Sequence, residues 1–336
     1  MNALPSFDLH RPTDLLTALT LLDQHRSDAK LIAGGTDFVV NLRHGLETPG
    51  HVVALSSIPE LNVFDADSKS GLRLGALTTV DTLATDPRIR SAYPVLSEAA
   101  ASVSGPTLRR MGTLGGNLCL DTRCQWYNQS PLWREACGFC LKKEGTVCHV
   151  APGSELCWAV YSGDIAPALL TLDAELVLQH ARGERRVPLS KFYFEDGLRK
   201  YDLGVNEILT EVRVPASRAG LAGSYHKLRS RAAVDYPLAG VAVSGRVTGT
   251  GTLSEVAIGV TAIGPCPMLV REATRFLEGK NLADERLAEV VVEMARRTAN
   301  PLHTGGGLSP AYRRLRVGLF ARDGVRALTD KLDADV

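Results

Sequence analysis

A surplus of charge is almost absent. The chain sets 38 Lys and Arg against 37 Asp and Glu, a net charge of +1, so no basic field exists to attract nucleic acid or an anionic membrane surface, and neither is expected as a partner. Long apolar runs are missing as well. None approaches the roughly 18 residues of a membrane span, and residues 1–9 are too polar for a secretory leader. A cytoplasmic location is therefore expected. There is no repeat and no low-complexity linker. With 45% hydrophobic and 22% charged residues, the composition is that of an ordinary globular protein.

Cysteine is scarce outside one stretch. Beyond residues 119–157 only Cys266 occurs, whereas that stretch holds Cys119, Cys124, Cys137, Cys140, Cys148 and Cys157. It and the residue after it also contain all three tryptophans, Trp126, Trp133 and Trp158. A segment that pools thiols in this way holds something through sulfur: an iron-sulfur cluster, a structural zinc or disulfides. A reducing cytoplasm and an odd total of seven cysteines weigh against disulfides. Intervals of 16, 8 and 9 separate Cys124, Cys140, Cys148 and Cys157. A zinc ribbon presents two C-x2-C knuckles, and only Cys137-Gly138-Phe139-Cys140 qualifies, whereas a [4Fe-4S] cluster accepts four thiolates from irregular loops. Spacing favours the cluster and leaves zinc open. Trp126, Tyr127, Trp133, Phe139, Trp158 and Tyr161 would shield a cluster from water, or simply pack the segment down.

At 336 residues the chain exceeds the usual span of one core, so two or three subdomains are expected, with a boundary near residues 215–223. Apolar spacing predicts a helix over 13–22 with Thr13 as its cap, a strand over 30–33, a helix over 38–43 and a strand over 52–55. A strand over 73–76, a helix from Thr79 and a buried helix over 94–102 come next. After the cysteine stretch follow a helix over 165–172 and strands over 175–179 and 211–214. Residues 238–247 and 255–263 alternate like antiparallel strands joined by Thr248-Gly249-Thr250-Gly251, and helical stripes recur through Leu287 to Met294 and from Tyr312 to Phe320.

Two glycine turns stand out, Gly34-Gly35-Thr36 between a strand and a helix, and Gly115-Gly116-Asn117. Neither fits G-x-G-x-x-G or the P-loop pattern. A lone Gly-Gly is more often a tight connection than a ligand site. Two such turns, however, let backbone N–H groups approach one pyrophosphate from both sides.

Ala33-Gly34-Gly35-Thr36-Asp37, Thr113-Leu114-Gly115-Gly116-Asn117 and Gly163-Asp164-Ile165-Ala166-Pro167 together resemble the FAD-binding medium subunit of the molybdenum hydroxylase (xanthine dehydrogenase) family. The likeness extends through Glu207-Ile208-Leu209 and Tyr225-His226-Lys227 to Asp235 and the C-terminal helices. Asn117 and Asp164 stand 47 residues apart, so the cysteine stretch reads as an insertion between two family segments. With Asp121-Thr122-Arg123-Cys124, Tyr127-Asn128-Gln129-Ser130 and Cys148-His149-Val150, it is similar to the [4Fe-4S] insertion of the beta subunits of 4-hydroxybenzoyl-CoA reductases.

The resemblance implies an α+β, PCMH-type FAD-binding fold of two subdomains, 1–60 and 61–216, with the iron-sulfur insertion at 119–160. It also implies a C-terminal domain, 217–336, made of a small antiparallel sheet with helices. Ile32, Ala33, Gly34, Gly35, Thr36 and Asp37, with Thr113, Leu114, Gly115, Gly116 and Asn117, would cradle the FAD pyrophosphate. Asp164 would bind the adenosine side, Val103 and Leu209 would pack on the cofactor, and Lys227 would sit near the flavin. Cys124, Cys140, Cys148 and Cys157 would hold the cluster, with Cys119, Cys137 and Cys266 matching no ligand position. The partners implied are a molybdopterin-binding large subunit, a [2Fe-2S] small subunit and a ferredoxin as electron donor. Substrate chemistry would lie on another chain, so no catalytic residue is assigned. The alternatives are an FAD subunit of another molybdenum hydroxylase working in the oxidative direction, and a free-standing flavoprotein with structural zinc.

Overall fold

The computed structural model of the chain describes residues 3–67, 69–304 and 307–328. The first two residues of the stretch read as too polar for a leader, and the end of the unit expected to reach residue 336, lie outside them. The architecture is α+β, with three sheets following one another along the chain.

The first sheet is parallel. It comprises β1 (Asp8–His10), β2 (Ala29–Ile32) and β3 (His51–Ala54) in the order β1-β3-β2. Helix Leu15–His25 leads from β1 to β2, and helix Phe38–Arg43 from β2 to β3. Leu15, Ala18, Leu19 and Leu22 share one face of the first helix and are buried with Val53, Leu55 and Ile58. The helix runs over Leu15–His25, and its cap stands one residue later than expected. Asp14, rather than Thr13, caps it, its carboxylate accepting the Thr17 amide at 2.8 Å, a charge-assisted bond that a hydroxyl cannot match.

The second sheet is antiparallel throughout, in the order β4-β5-β8-β6-β7. Its strands are β4 (Phe64–Asp67), β5 (Gly71–Gly75), β6 (Glu175–His180), β7 (Gly183–Pro188) and β8 (Ile208–Val214). β8 starts three residues before the expected strand, because Ile208, Leu209 and Thr210 are covered on both faces and show no alternation. β7 was not expected at all. Its charged sequence suits an edge strand, where it pairs with β6 along its whole length. Helices Pro94–Ala101 and Ile165–Thr171 share this sheet's core and lie against the third sheet, and every residue of the second helix is buried.

The third sheet, in the order β12-β11-β10-β9, contains β9 (Ala222–Leu228), β10 (Ala239–Val247), β11 (Leu253–Thr261) and β12 (Met268–Leu269). The expected β10/β11 hairpin turns at Gly251, which adopts φ +79°. Helices Arg286–Thr298 and Pro310–Arg326 share its core. No helix among the described residues is long and apolar enough to cross a membrane.

Candidate functional site

A cavity of about 740 Å3 is lined by residues from all three sheet units. Its floor is the first glycine turn, where the chain leaves β2 and bends into helix Phe38–Arg43. Gly35 takes φ +69°, a conformation strained for any residue with a Cβ. A Cβ on Gly34 would lie 1.7 Å from the Met111 carbonyl oxygen, so the first turn is pressed against the approach to the second. Among the described residues, the amides of Gly34, Gly35, Thr36 and Asp37 make no hydrogen bond within the protein. Four unpaired donors beside a cavity fit an anionic group that accepts from them.

The second turn contributes differently. The amides of Leu114 and Gly115 donate to the Thr78 and Ala76 carbonyls, and those of Gly116 and Asn117 to the Thr113 hydroxyl and carbonyl. Its N–H groups are therefore spent internally. What it offers the cavity is a wall without side chains, since a Cβ on Gly115 would meet the Ala76 side chain at 2.9 Å. Asn117 reaches on to accept the Ile165 amide, fixing the start of helix Ile165–Thr171.

Of the residues singled out from sequence, Ile32 through Asp37, Val103, Thr113, Gly115, Gly116, Asn117, Asp164 and Leu209 line this cavity. Leu114 and Lys227 do not. Leu114 points into the hydrophobic core. Lys227 is locked away, its ammonium donating to Asp164 Oδ2 and to the Ser102 and Asp235 carbonyls, each at 3.0 Å. The Tyr225 hydroxyl takes the other oxygen of Asp164 at 2.8 Å, so both oxygens of that carboxylate already have partners inside the protein. Burial pushes the Asp164 carboxyl above its ordinary value, and Lys227 and Tyr225 act against that. Both side chains are about 95% buried. Lys227→Met would leave the carboxylate buried without its cation and is expected to destabilise the fold by about 3–5 kcal/mol. Adding Asp164→Asn should recover part of that loss, as a denaturant-based double-mutant cycle will show.

Arg123, Asp121 and Lys200 also line the cavity, and their contacts went unread in the sequence because they join segments far apart. Arg123, in the insertion, donates to Asp37 Oδ1 at 2.8 Å and stacks on Tyr236 from the third sheet unit, 4.3 Å from its ring centre. Tyr236 donates to the same Asp37 oxygen at 2.9 Å. Asp121 accepts from Lys200 at 2.8 Å and from Lys142 at 2.9 Å. Burial works against the Asp121 charge, but the two ammonium groups outweigh it and hold the carboxyl below the usual carboxylate range.

Lys142 leads to a second, smaller cavity. Cys124, Cys140, Cys148 and Cys157 line it, all buried, together with Trp126, Tyr127 and His149. Cys119 instead lines the larger cavity, Cys137 ends helix Pro131–Ala136, and Cys266 is buried elsewhere. Nothing in the insertion sequence alone would bring Cys140 and Cys148 to the others. A turn does so, with Gly138, Phe139 and Glu144 all at positive φ and the Lys143 and Gly145 amides donating to the Cys140 carbonyl. The base of the insertion is closed by reciprocal bonds between Arg123 and Val160, and its flank is tied to the Thr304 carbonyl through the Gln125 amide.

Four buried thiols could hold either metal, and the two differ in the spacing they ask of the sulfurs. A tetrahedral zinc with Zn–S bonds of about 2.3 Å holds its sulfurs about 3.8 Å apart. Among the described residues, the one set of three or more His, Cys, Asp or Glu ligand atoms all within 4.8 Å of one another is a histidine trio in the first sheet, so no three of these sulfurs come that close. A [4Fe-4S] cubane would bind each thiolate at a different iron corner and set the sulfurs farther apart. Burial pushes the Cys124 and Cys157 thiols up to about 11, so ligation of a cationic metal would release their protons.

Comparison with known proteins agrees with the geometry of the larger cavity. Residues 5–217 match the family described as "FAD binding domain in molybdopterin dehydrogenase". Residues 224–328 match "CO dehydrogenase flavoprotein C-terminal domain". The chain is 29% identical over 282 residues to the carbon monoxide dehydrogenase medium chain of Hydrogenophaga pseudoflava, covering 84% of this chain and 83% of that one. To the nicotinate dehydrogenase FAD-subunit of Eubacterium barkeri it is 26% identical over 323 residues, covering 94% and 96%. A solved structure of the Hydrogenophaga pseudoflava carbon monoxide dehydrogenase superposes with a TM-score of 0.80 at 26% identity, covering 98% of this chain and 99% of that one.

Proposed function

Because the chain belongs to the family of FAD-binding medium subunits of molybdenum hydroxylases, we propose that it is an electron-transfer subunit holding FAD in the larger cavity and a [4Fe-4S] cluster in the smaller one. The observation that carries this reading is the Asp121 carboxylate. It is bonded at once to Lys200, which lines the larger cavity, and to Lys142, which lines the smaller. A large cavity and a buried group of four thiols beside it, bridged by one carboxylate paired to a lysine of each wall, suit a relay better than two unrelated functions.

When bound, FAD interconverts one-electron and two-electron chemistry, and an iron-sulfur cluster carries single electrons. The chain's residues hold and insulate. The amides of Gly34 to Asp37 would meet the pyrophosphate, Val103 and Leu209 would cover apolar ring surface, and Cys124, Cys140, Cys148 and Cys157 would ligate iron behind Trp126 and Tyr127. The buried ammonium of Lys142, beside those thiols, would favour the more negative state of whatever they bind. A cytoplasmic location belongs to the same reading, since cluster ligands must stay reduced thiols.

Substrate turnover would occur on partner chains, a molybdopterin-binding large subunit reached through a [2Fe-2S] small subunit, with a ferredoxin as donor. The reaction proposed is reductive removal of a phenolic hydroxyl from 4-hydroxybenzoyl-CoA or a similar aromatic thioester, consuming two electrons and two protons and releasing water. Oxidative hydroxylation of another aromatic or heterocyclic substrate is the second reading, favoured by relatives named as dehydrogenases.

Anaerobic purification tests the cofactors. The expected chain shows flavin absorbance over a broad iron-sulfur shoulder, with about four iron and four sulfide per chain. Zinc in place of iron would sink the relay and leave a flavoprotein with structural zinc. The complex recovered with its partners should then form benzoyl-CoA from 4-hydroxybenzoyl-CoA with reduced ferredoxin. Hydroxylation coupled to an oxidised acceptor, without that product, would establish the second reading instead.

A further inference from the structure

Three of the chain's eight histidines come from separate elements to one place outside both cavities. His10 ends β1, His25 ends helix Leu15–His25 and His51 begins β3. One ring nitrogen from each lies within 4.8 Å of the other two. His10 Nε2 and His51 Nδ1 share a hydrogen bond at 3.1 Å, and the His25 ring stacks on His51 with centres 3.6 Å apart, so a metal would replace that bond and turn the rings toward itself. Asp8 Oδ2 stands 3.8 Å from His51 Nδ1 on the open side.

From this convergence we propose a divalent transition-metal site, most suited to zinc, with His10, His25 and His51 as its protein ligands and Asp8 or water in the fourth position. A tetrahedral zinc with Zn–N bonds of about 2.0–2.1 Å sets its nitrogens about 3.3–3.4 Å apart, close to the spacing between His10 and His51. Three imidazoles and one carboxylate suit zinc, nickel or copper rather than calcium or magnesium, which take all-oxygen shells.

The site would fasten an edge strand that has only one strand neighbour, β3, to the end of the adjacent helix. The next two residues, Arg26 and Ser27, line the larger cavity. Metal bound to His25 would therefore fix the chain as it enters that wall. The proposal does not depend on the flavin and cluster assignments, and its test can fail without touching them.

The test is anaerobic equilibrium dialysis of the full chain, cofactors in place, against zinc ion, with bound zinc counted by mass spectrometry. One zinc per chain is expected. His25→Ala and, separately, His51→Gln should each weaken binding at least about a hundredfold, since even the loss of a group supporting a ligand costs about 10–100-fold. Both rings are only partly buried, and far-ultraviolet circular dichroism reports whether each variant has kept its fold. Cobalt in the same site should give visible d–d bands without thiolate charge transfer. The absence of zinc binding, zinc that survives both histidine variants, or cobalt bands of thiolate character would each overturn the site.

Discussion

Cys148→Ser is expected to lose most of the iron from the chain while the flavin stays in place. Cys148 is buried beside the other three thiols of the smaller cavity, and one cubane takes four protein thiolates. The variant should fall from about four iron per chain to well under one. Polar bonds tie the insertion to the rest of the chain, but it has few aliphatic side chains. Its buried apolar cluster is Leu46, Cys124, Tyr127, Cys140, Cys157 and Ala159, half of it cysteine, so metal ligation stands in for an aliphatic core and is coupled to local folding. Limited proteolysis should therefore cut the variant within residues 124–157 at sites protected in the parent. The flavin should remain, because the amides of Gly34 to Asp37 and the wall of the second turn lie outside the insertion. Cys137→Ser and Cys119→Ser should keep their iron, since neither residue lines the smaller cavity. Cluster loss in Cys137→Ser with retention in Cys148→Ser would reverse the ligand assignment.

What the sequence made legible is local. The strand, glycine turn and helix around Gly34 are written in four or five successive residues, and helix Phe38–Arg43 falls on the expected positions. So are the stripes of helix Leu15–His25 and the β10/β11 hairpin. The polar half of the site is not local. Arg123, Asp37 and Tyr236 meet across separations of 86 and 199 residues, and no periodicity announces such a contact. Lys227 shows the same limit from the other side. A lysine expected near the flavin is bound up in a buried pair with Asp164 and two carbonyls, an arrangement that depends on β9 lying over the turn after Ala101. The histidine trio was likewise invisible in sequence, since its members sit 15 and 26 residues apart on three elements with no metal-motif spacing.

Gly34→Ala is expected to abolish flavin retention, and to do so more completely than any side-chain change in the cavity. The reason is steric and backbone-deep. The added Cβ would sit 1.7 Å from the Met111 carbonyl oxygen and 2.6 Å from its carbon, and backbone cannot swing aside as a flexible side chain can. Either β2 or the approach to the second turn must move, and both carry walls of the cavity. The four free amides would then no longer converge, and backbone donors preorganised toward an anion lose most of their value when displaced. A misplacement of about 1 Å costs on the order of a hundredfold in comparable bound geometries. Gly35→Val, strained at φ +69°, should show the same loss through a different cause. Gly116→Val is the milder variant. Its Cβ meets only the Thr113 hydroxyl at 3.0 Å, in a turn whose amides are already spent, so flavin affinity should fall without vanishing. The three variants are compared by flavin content after gel filtration, with iron measured in the same samples. Iron should persist in all three, because Cys124, Cys140, Cys148 and Cys157 lie in a different cavity. Full flavin occupancy in Gly34→Ala would show that the first turn is not the anion cradle.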